Sequence, residues 1–153
     1  MFHGNFPQTV DEKGRTNIPA KFRVPLLVPE ARTLMITPKL TLNADTPCLE
    51  VWPIHSWNQF TEKLSRLPQF EQSVITIKKL VVAHAQDCPV DKNWRILISP
   101  SLREQAKIMK EIVWVGSLDR IEIWNKEAWS AELHSTQKDL NQAIFQKLSD
   151  LGL

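Results

Sequence analysis

Lys13, Arg15, Lys21 and Arg23 crowd one short stretch, residues 11–23, around a single glycine, Gly14. Arginine offers a planar fork that can grip a guanine edge through two parallel bonds, while lysine mainly neutralises phosphate. Asp11 leads the stretch, charged residues follow, and Gly14 can supply a positive φ, so 11–14 is expected to be a tight turn. Cations on an exposed turn are suited to DNA, and a two-stranded ribbon behind that turn has the width of the major groove. The same residues have a second possible job. Asp11 and Arg15 can close the turn as an ion pair, and Arg23 can pair within the fold as readily as it meets phosphate.

The elements that must position these cations occur twice. Asp91, Arg95, Ile98 and Arg103 repeat Asp11, Arg15, Ile18 and Arg23 at a constant offset of 80 residues. Internal self-similarity of this kind decides the reading of the whole chain. Further on, Leu49-Glu50-Val51-Trp52 returns as Ile121-Glu122-Ile123-Trp124, and Trp57 returns as Trp129, at an offset of 72. The first copy is therefore eight residues longer between its two anchors. The surplus is expected in a loop over 41–47, where Asn43, Asp45 and Pro47 are turn formers. Two repeats are too few for a solenoid. The expected organisation is a first half-domain over 1–68, a connecting helix over 69–83, a second half-domain over 84–130 and a helical tail over 131–153.

Because Asp91, Arg95 and Arg103 persist in the second copy, the motif is expected to serve the fold as well as any ligand. Glu50 and Glu122, each next but one to a tryptophan, are candidate acidic partners of the motif arginines, structural rather than catalytic. The first copy differs from the second in Lys13, Gly14 and Lys21, which give way to Asn93, Trp94 and Ser101. DNA contact is accordingly assigned to Lys13, Gly14, Arg15 and Lys21, with Arg23 in support. If the Gly14 position needs a positive φ, Trp94 meets steric strain there.

Strands are expected over 1–10, 15–18, 33–37, 48–52, 88–90, 95–98, 111–115 and 120–124, the last two joined by a turn at 116–119. Pro19 opens a brief helix that Pro25 and Pro29 should end. Ser56 with Gln59 is a capping-box pattern ahead of a helix carrying Trp57, Phe60, Leu64 and Leu67. Phe70, Val74, Ile77 and Val81 keep helical spacing, although the β-branched run 74–77 would also suit a strand. Ser99 and Pro100 start a short helix. Asn125 caps a final helical region in which Leu140, Ile144, Leu148 and Leu151 form a narrow apolar stripe of the sort that packs on a neighbouring subunit.

With 153 residues, 42% of them hydrophobic and 24% charged, the chain can bury a core. No basic stretch leads into an apolar run at its start, and no apolar run approaches the roughly 18 residues of a membrane span. A cytoplasmic protein that makes no membrane contact is expected. A net charge of +2 permits DNA binding without announcing it. The six tryptophans are interleaved with β-branched residues and read as core rather than as a base-stacking platform.

The pattern at 11–23 resembles the signature of the MraZ family, relatives of the AbrB-type swapped-hairpin regulators. The likeness extends to Met1-Phe2 with Gly4, Cys48-Leu49 leading to Trp52-Pro53, 64–67 and 120–124. It implies an α+β fold of two tandem swapped-hairpin half-domains forming one pseudo-symmetric β-barrel unit with flanking short helices. It further implies ring-like homo-oligomers that bind direct repeats in double-stranded promoter DNA, typically repressing their own division and cell-wall gene cluster operon. His3 stands where the family has arginine, Trp94 where it has glycine and Ser99 where it has proline or alanine, so the first copy is the better preserved.

Other chemistry is weakly marked. His84 and Cys88 have a spacing a metal could use, with His55 or Cys48 nearby in sequence, but a zinc site needs four ligands at recognisable spacings, and no metal is assigned. Only four glycines and no phosphate loop argue against a nucleotide, so no cofactor is expected. No nucleophile–base grouping suggests an enzyme. The rival reading is an oligomeric scaffold without specific DNA readout, favoured by the low net charge and the apolar stripe.

Overall fold

A computed structural model describes residues 1–26 and 32–153. In the first copy of the repeat, β1 (Asn5–Thr9) and β2 (Arg15–Asn17) flank the Asp11 turn, and α1 (Ala20–Leu26) follows Pro19. Then come β3 (Thr33–Pro38), β4 (Cys48–Pro53), α2 (Ile54–Ser65) and α3 (Gln72–Leu80). The second copy has β5 (Gln86–Pro89), β6 (Arg95–Leu97), α4 (Pro100–Gln105), β7 (Glu111–Ser117) and β8 (Arg120–Asn125). The chain ends in α5 (Lys126–Lys138) and α6 (Gln142–Asp150).

Six strands form one antiparallel sheet in the order β1-β7-β8-β4-β3-β5, and β2 pairs with β6 as a separate ribbon. The mixed α+β class expected from the sequence is therefore present. The ladder does not close among the described residues: β1 and β5 are its edges, so the expected barrel is not a continuous ring of strands. The opening strand of each copy leaves its own hairpin. β1 pairs with β7, Phe6 facing Trp114, and β5 pairs with β3, Cys88 facing Leu34.

The eight-residue surplus lies where the turn formers predict, in the long connection between β3 and β4; β7 and β8 are joined by Leu118-Asp119 alone. Gly116 was expected within that turn. Instead it pairs with Ile121 in the strand, and a Cβ on it would come within 2.4 Å of the His3 backbone nitrogen. A residue with no side chain is what lets the N-terminal segment cross there.

Between the sheet and the ribbon lies the main core, in which Ile18, Phe22, Leu34, Ile36, Leu49, Ile96, Ile98, Ile112, Trp114, Ile121 and Ile123 are buried. Phe22 is met edge-on by Phe2 and Phe6, at 5.7 and 5.0 Å between ring centres. Met35, Trp52, Trp57 and Val81 form a second cluster under α2. Trp52, Trp57, Trp114 and Trp124 are buried, as a core reading requires, whereas Trp94 and Trp129 are only half-buried.

Two local expectations are corrected. The capping box at Ser56 is absent: Pro53, with φ −55° and ψ 139°, is the residue that precedes the helix, and the Gln59 amide turns to His55 at 3.0 Å. Pro53 fixes the entry one turn earlier than the serine would. Pro25 does not end α1 but lies in its last turn, where it forfeits only a bond to the Lys21 carbonyl; Pro29 falls outside the described residues. The β-branched run 74–77 is helical, within α3, as the spacing of Val74 and Ile77 predicts. No residue of α5 or α6 is buried, so the stripe of Ile144 and Leu148 lies open together with Leu140 and Leu151.

Candidate nucleic-acid interface

The Asp11 turn is built by one carboxylate. Asp11 Oδ1 accepts from the backbone N–H groups of Lys13 and Arg15 at 3.0 and 2.9 Å, and Oδ2 accepts from Arg15 Nε at 2.7 Å. The Gly14 N–H donates to the Asp11 carbonyl at 2.9 Å. The second turn repeats each bond. Asp91 takes the N–H groups of Asn93 and Arg95 and the Nε of Arg95 at 2.8, 2.9 and 2.9 Å, and the Trp94 N–H donates to the Asp91 carbonyl. Donated backbone N–H groups, first of all those of Arg15 and Arg95, hold both carboxyls below the usual carboxylate range, with the arginine side chains adding to the effect. The ion pair considered for Asp11 and Arg15 is thus present in both copies. Each pairing uses Nε alone and leaves Nη1 and Nη2 without a partner among the described residues.

The fourth turn residue needs the left-handed region in both copies: φ is +91° at Gly14 and +60° at Trp94. Each turn is also braced by the other copy. Ile98 N–H donates to the Gly14 carbonyl at 2.9 Å and Ile18 N–H to the Trp94 carbonyl at 2.8 Å. Arg103 Nε donates to the Ile98 carbonyl at 3.0 Å, and Arg23 Nε to the Ile18 carbonyl at 2.9 Å. Arg23 is therefore half-buried and engaged within the fold, as Arg103 is. Lys13 and Lys21 are exposed and make no side-chain hydrogen bond among the described residues.

Strand alternation sorts the ribbon into two faces. Thr16 and Ile96 point into the core. Arg15, Asn17, Arg95 and Leu97 share the outer face, with Arg15 opposite Leu97 and Asn17 opposite Arg95. The antiparallel register puts the Lys13 turn at one end of the ribbon and the turn bearing exposed Lys92 at the other. Sequence reasoning passed over Asn17 and Lys92; the odd-numbered alternation with Arg15 was the available signal for Asn17.

Glu50 and Glu122 do not serve the motif arginines. They face each other on β4 and β8, and each has a different cation. Glu122 accepts from Lys39 Nζ at 2.6 Å and from Trp124 Nε1 at 2.7 Å. Glu50 lies 3.5 Å from Arg120, whose guanidinium is 3.8 Å over the Trp52 ring. Burial pushes the Glu50 carboxyl above its ordinary value against the pull of Arg120 and Lys39. Burial also raises both thiols, Cys88 to about 11. His84 Nδ1 lies 3.3 Å from the Gln105 amide, and the Cys88 thiol donates to the Leu97 carbonyl. Among the described residues no three His, Cys, Asp or Glu side chains gather as metal ligands, and no helix is long and apolar enough to cross a membrane.

The family described as "MraZ protein, putative antitoxin-like" matches the chain in two consecutive segments, residues 1–79 and 81–150. A protein of Idiomarina loihiensis named "Transcriptional regulator MraZ" is 32% identical over 156 residues, covering the full length of both chains. A protein of the same name from Shewanella frigidimarina is 36% identical over 133 residues, 87% of this chain and 85% of its own. The doubled Asp-x-x-x-Arg turn is thus set in a chain that aligns with the Idiomarina relative from end to end and matches the family over nearly its whole length, and the protein belongs to the MraZ family.

Proposed function

We propose that this protein is a sequence-specific DNA-binding transcriptional regulator. The outer face of the β2–β6 ribbon carries the reading. It presents two arginines, each fixed through Nε by its own aspartate while Nη1 and Nη2 stay unpartnered among the described residues. A guanidinium oriented in this way is suited to bidentate contact with guanine, and Lys13 and Lys21 are placed to neutralise phosphate. Gly14, buried beneath Arg103, supports this face indirectly, by letting the turn take its positive φ. The relatives named as transcriptional regulators support the same reading.

One chain of net charge +2 makes few phosphate contacts. A ring-like homo-oligomer would repeat the ribbon and gain avidity on direct repeats in a promoter without new chemistry. We extend the proposal to that assembly, to repression of the protein's own division and cell-wall operon, and to a cytoplasmic, nucleoid-associated location. The exchange of β1 and β5 between the two copies supports two swapped-hairpin half-domains, 1–68 and 84–130, joined by the helix over 69–83 and followed by the tail over 131–153.

A gel shift with the region upstream of its own gene tests the function. Binding is expected to weaken log-linearly with salt, and Arg15→Ala is expected to weaken it and to flatten the slope by about one unit if phosphate is involved. Undetectable binding at low salt overturns the proposal, and an unchanged Arg15→Ala overturns the role of that residue. The open apolar side of α6 favours the scaffold reading instead. A protein partner that binds with no log-linear salt loss, together with absent DNA binding, would select it.

A further inference from the structure

We infer that Asn17 and Leu97 give the ribbon a direction, so that it reads adenine and thymine at two separated positions of an asymmetric site; the inference rests on the DNA-binding reading above. In the β2–β6 register, Arg15 faces Leu97 and Asn17 faces Arg95. Exchanging the two strands swaps Arg15 with Arg95 and leaves the outer face with the same two cations. It also swaps Asn17 with Leu97, and there the face changes. A paired face with like residues at both positions would look the same to DNA from either end and would favour a palindrome. The Asn17–Leu97 pair removes that equivalence on the paired face.

The two side chains differ in what they can read. An asparagine amide matches the N6 and N7 edge of adenine through two bonds, and an apolar side chain packs on the thymine methyl. Asn17 is exposed and its amide makes no hydrogen bond among the described residues, so donor and acceptor are both available. Leu97 is 54% exposed on the same surface, where an apolar group gains nothing from water. Residues two apart on a strand are separated by about 6.8 Å, close to two base-pair steps of about 3.4 Å. A ribbon lying along the groove therefore sets Asn17 beside Arg95 at one end and Leu97 beside Arg15 at the other, about two base pairs apart.

The test uses the full chain and a pool of duplexes randomised across the bound site, with base frequencies read after selection and affinities measured on the selected duplex. Wild type is expected to select adenine at one position and thymine at a second. Asn17→Asp changes the amide to an isosteric acceptor. It is expected to lose on the order of tenfold in preference for adenine and to shift toward cytosine, whose N4 donates. Asn17→Leu combined with Leu97→Asn is expected to exchange the two selected bases. Both variants should keep the thermal midpoint of wild type, since both positions lie on the solvent side. Base preferences that stay the same in both folded variants overturn the inference while the DNA-binding reading stands. Wild-type protein that shows no salt-dependent binding to any duplex overturns the DNA-binding reading itself.

Discussion

The ring of Trp94 lies beneath the Arg23 guanidinium, with 5.6 Å between the guanidinium carbon and the ring centre. Arg32 approaches the same ring at 5.1 Å. The equivalent place in the first turn is filled in the opposite way. Gly14 has no side chain, and Arg103 Nε comes within 2.8 Å of where its Cβ would be. Each turn is thus covered by an arginine of the other copy, over an indole in one case and over bare backbone in the other. Cation–π contact of about 0.5–1 kcal/mol per pair at exposed sites offsets part of the cost of a tryptophan at φ +60°.

That offset separates two substitutions. Trp94→Ala loses the ring and keeps a Cβ in the left-handed region, whereas Trp94→Gly loses the ring and relaxes the backbone. The glycine variant is expected to be more stable than the alanine variant by about 1 kcal/mol. Both should be less stable than wild type, because Trp94 also packs on the main core. Urea unfolding of the three proteins checks the order.

Gly14 permits no such exchange. A Cβ there would stand 2.8 Å from the Ile98 carbonyl oxygen as well as from Arg103 Nε, at a φ of +91°. The carbonyl is part of the brace that holds the turn and cannot move aside cheaply. Gly14→Ala is expected to cost roughly 2 kcal/mol or more. A urea midpoint within error of wild type would show that the turn yields instead.

What was legible in the sequence follows from the range of each interaction. The Asp11–Arg15 clamp joins residues four apart, and its repetition at Asp91 and Arg95 made it readable twice. The strain at Trp94 was readable because the repeat set it against Gly14. The partners of Glu50 and Glu122 were not readable, since Arg120 and Lys39 reach them through the register of β3, β4 and β8. Asn17 was hidden for the same reason. Its place beside Arg95 exists only once two strands nearly 80 residues apart are paired. The helix entry at Pro53 was missed because a capping pattern at Ser56 took precedence over the preset φ of a nearer proline.

The facing carboxylates predict a pH dependence. Glu50 titrates above its ordinary value because it is buried, so its ionised form is less favoured in the folded protein than in the unfolded chain. The sign follows from linkage: stability is fully present below the unfolded value of 4.5 and is lost as pH rises through the higher folded value. Glu50→Gln copies the protonated state. Its melting temperature relative to wild type is expected to be higher at pH 7 than at pH 4. A difference that is constant over that interval, or that reverses, would show that the Arg120 pair outweighs burial.

Asp11 predicts the opposite limb. Its carboxylate accepts two backbone N–H groups and Arg15 Nε, so its folded pKa lies below the unfolded value of 3.8. The stability this confers is present above 3.8 and is lost as pH falls through the folded value. Asn in place of Asp11 keeps an acceptor for the turn but no charge. Asp11→Asn should therefore be less stable than wild type at pH 6, and the gap should close as pH drops below 3.8, which thermal melts across that interval would follow. Asp91→Asn is expected to behave alike, because Asp91 makes the same three bonds. The two variants should part on DNA. Only Asp11 orients the arginine beside Lys13, so at neutral pH Asp11→Asn is expected to weaken binding to the upstream region more than Asp91→Asn does, and equal losses would assign both turns the same share of the contact.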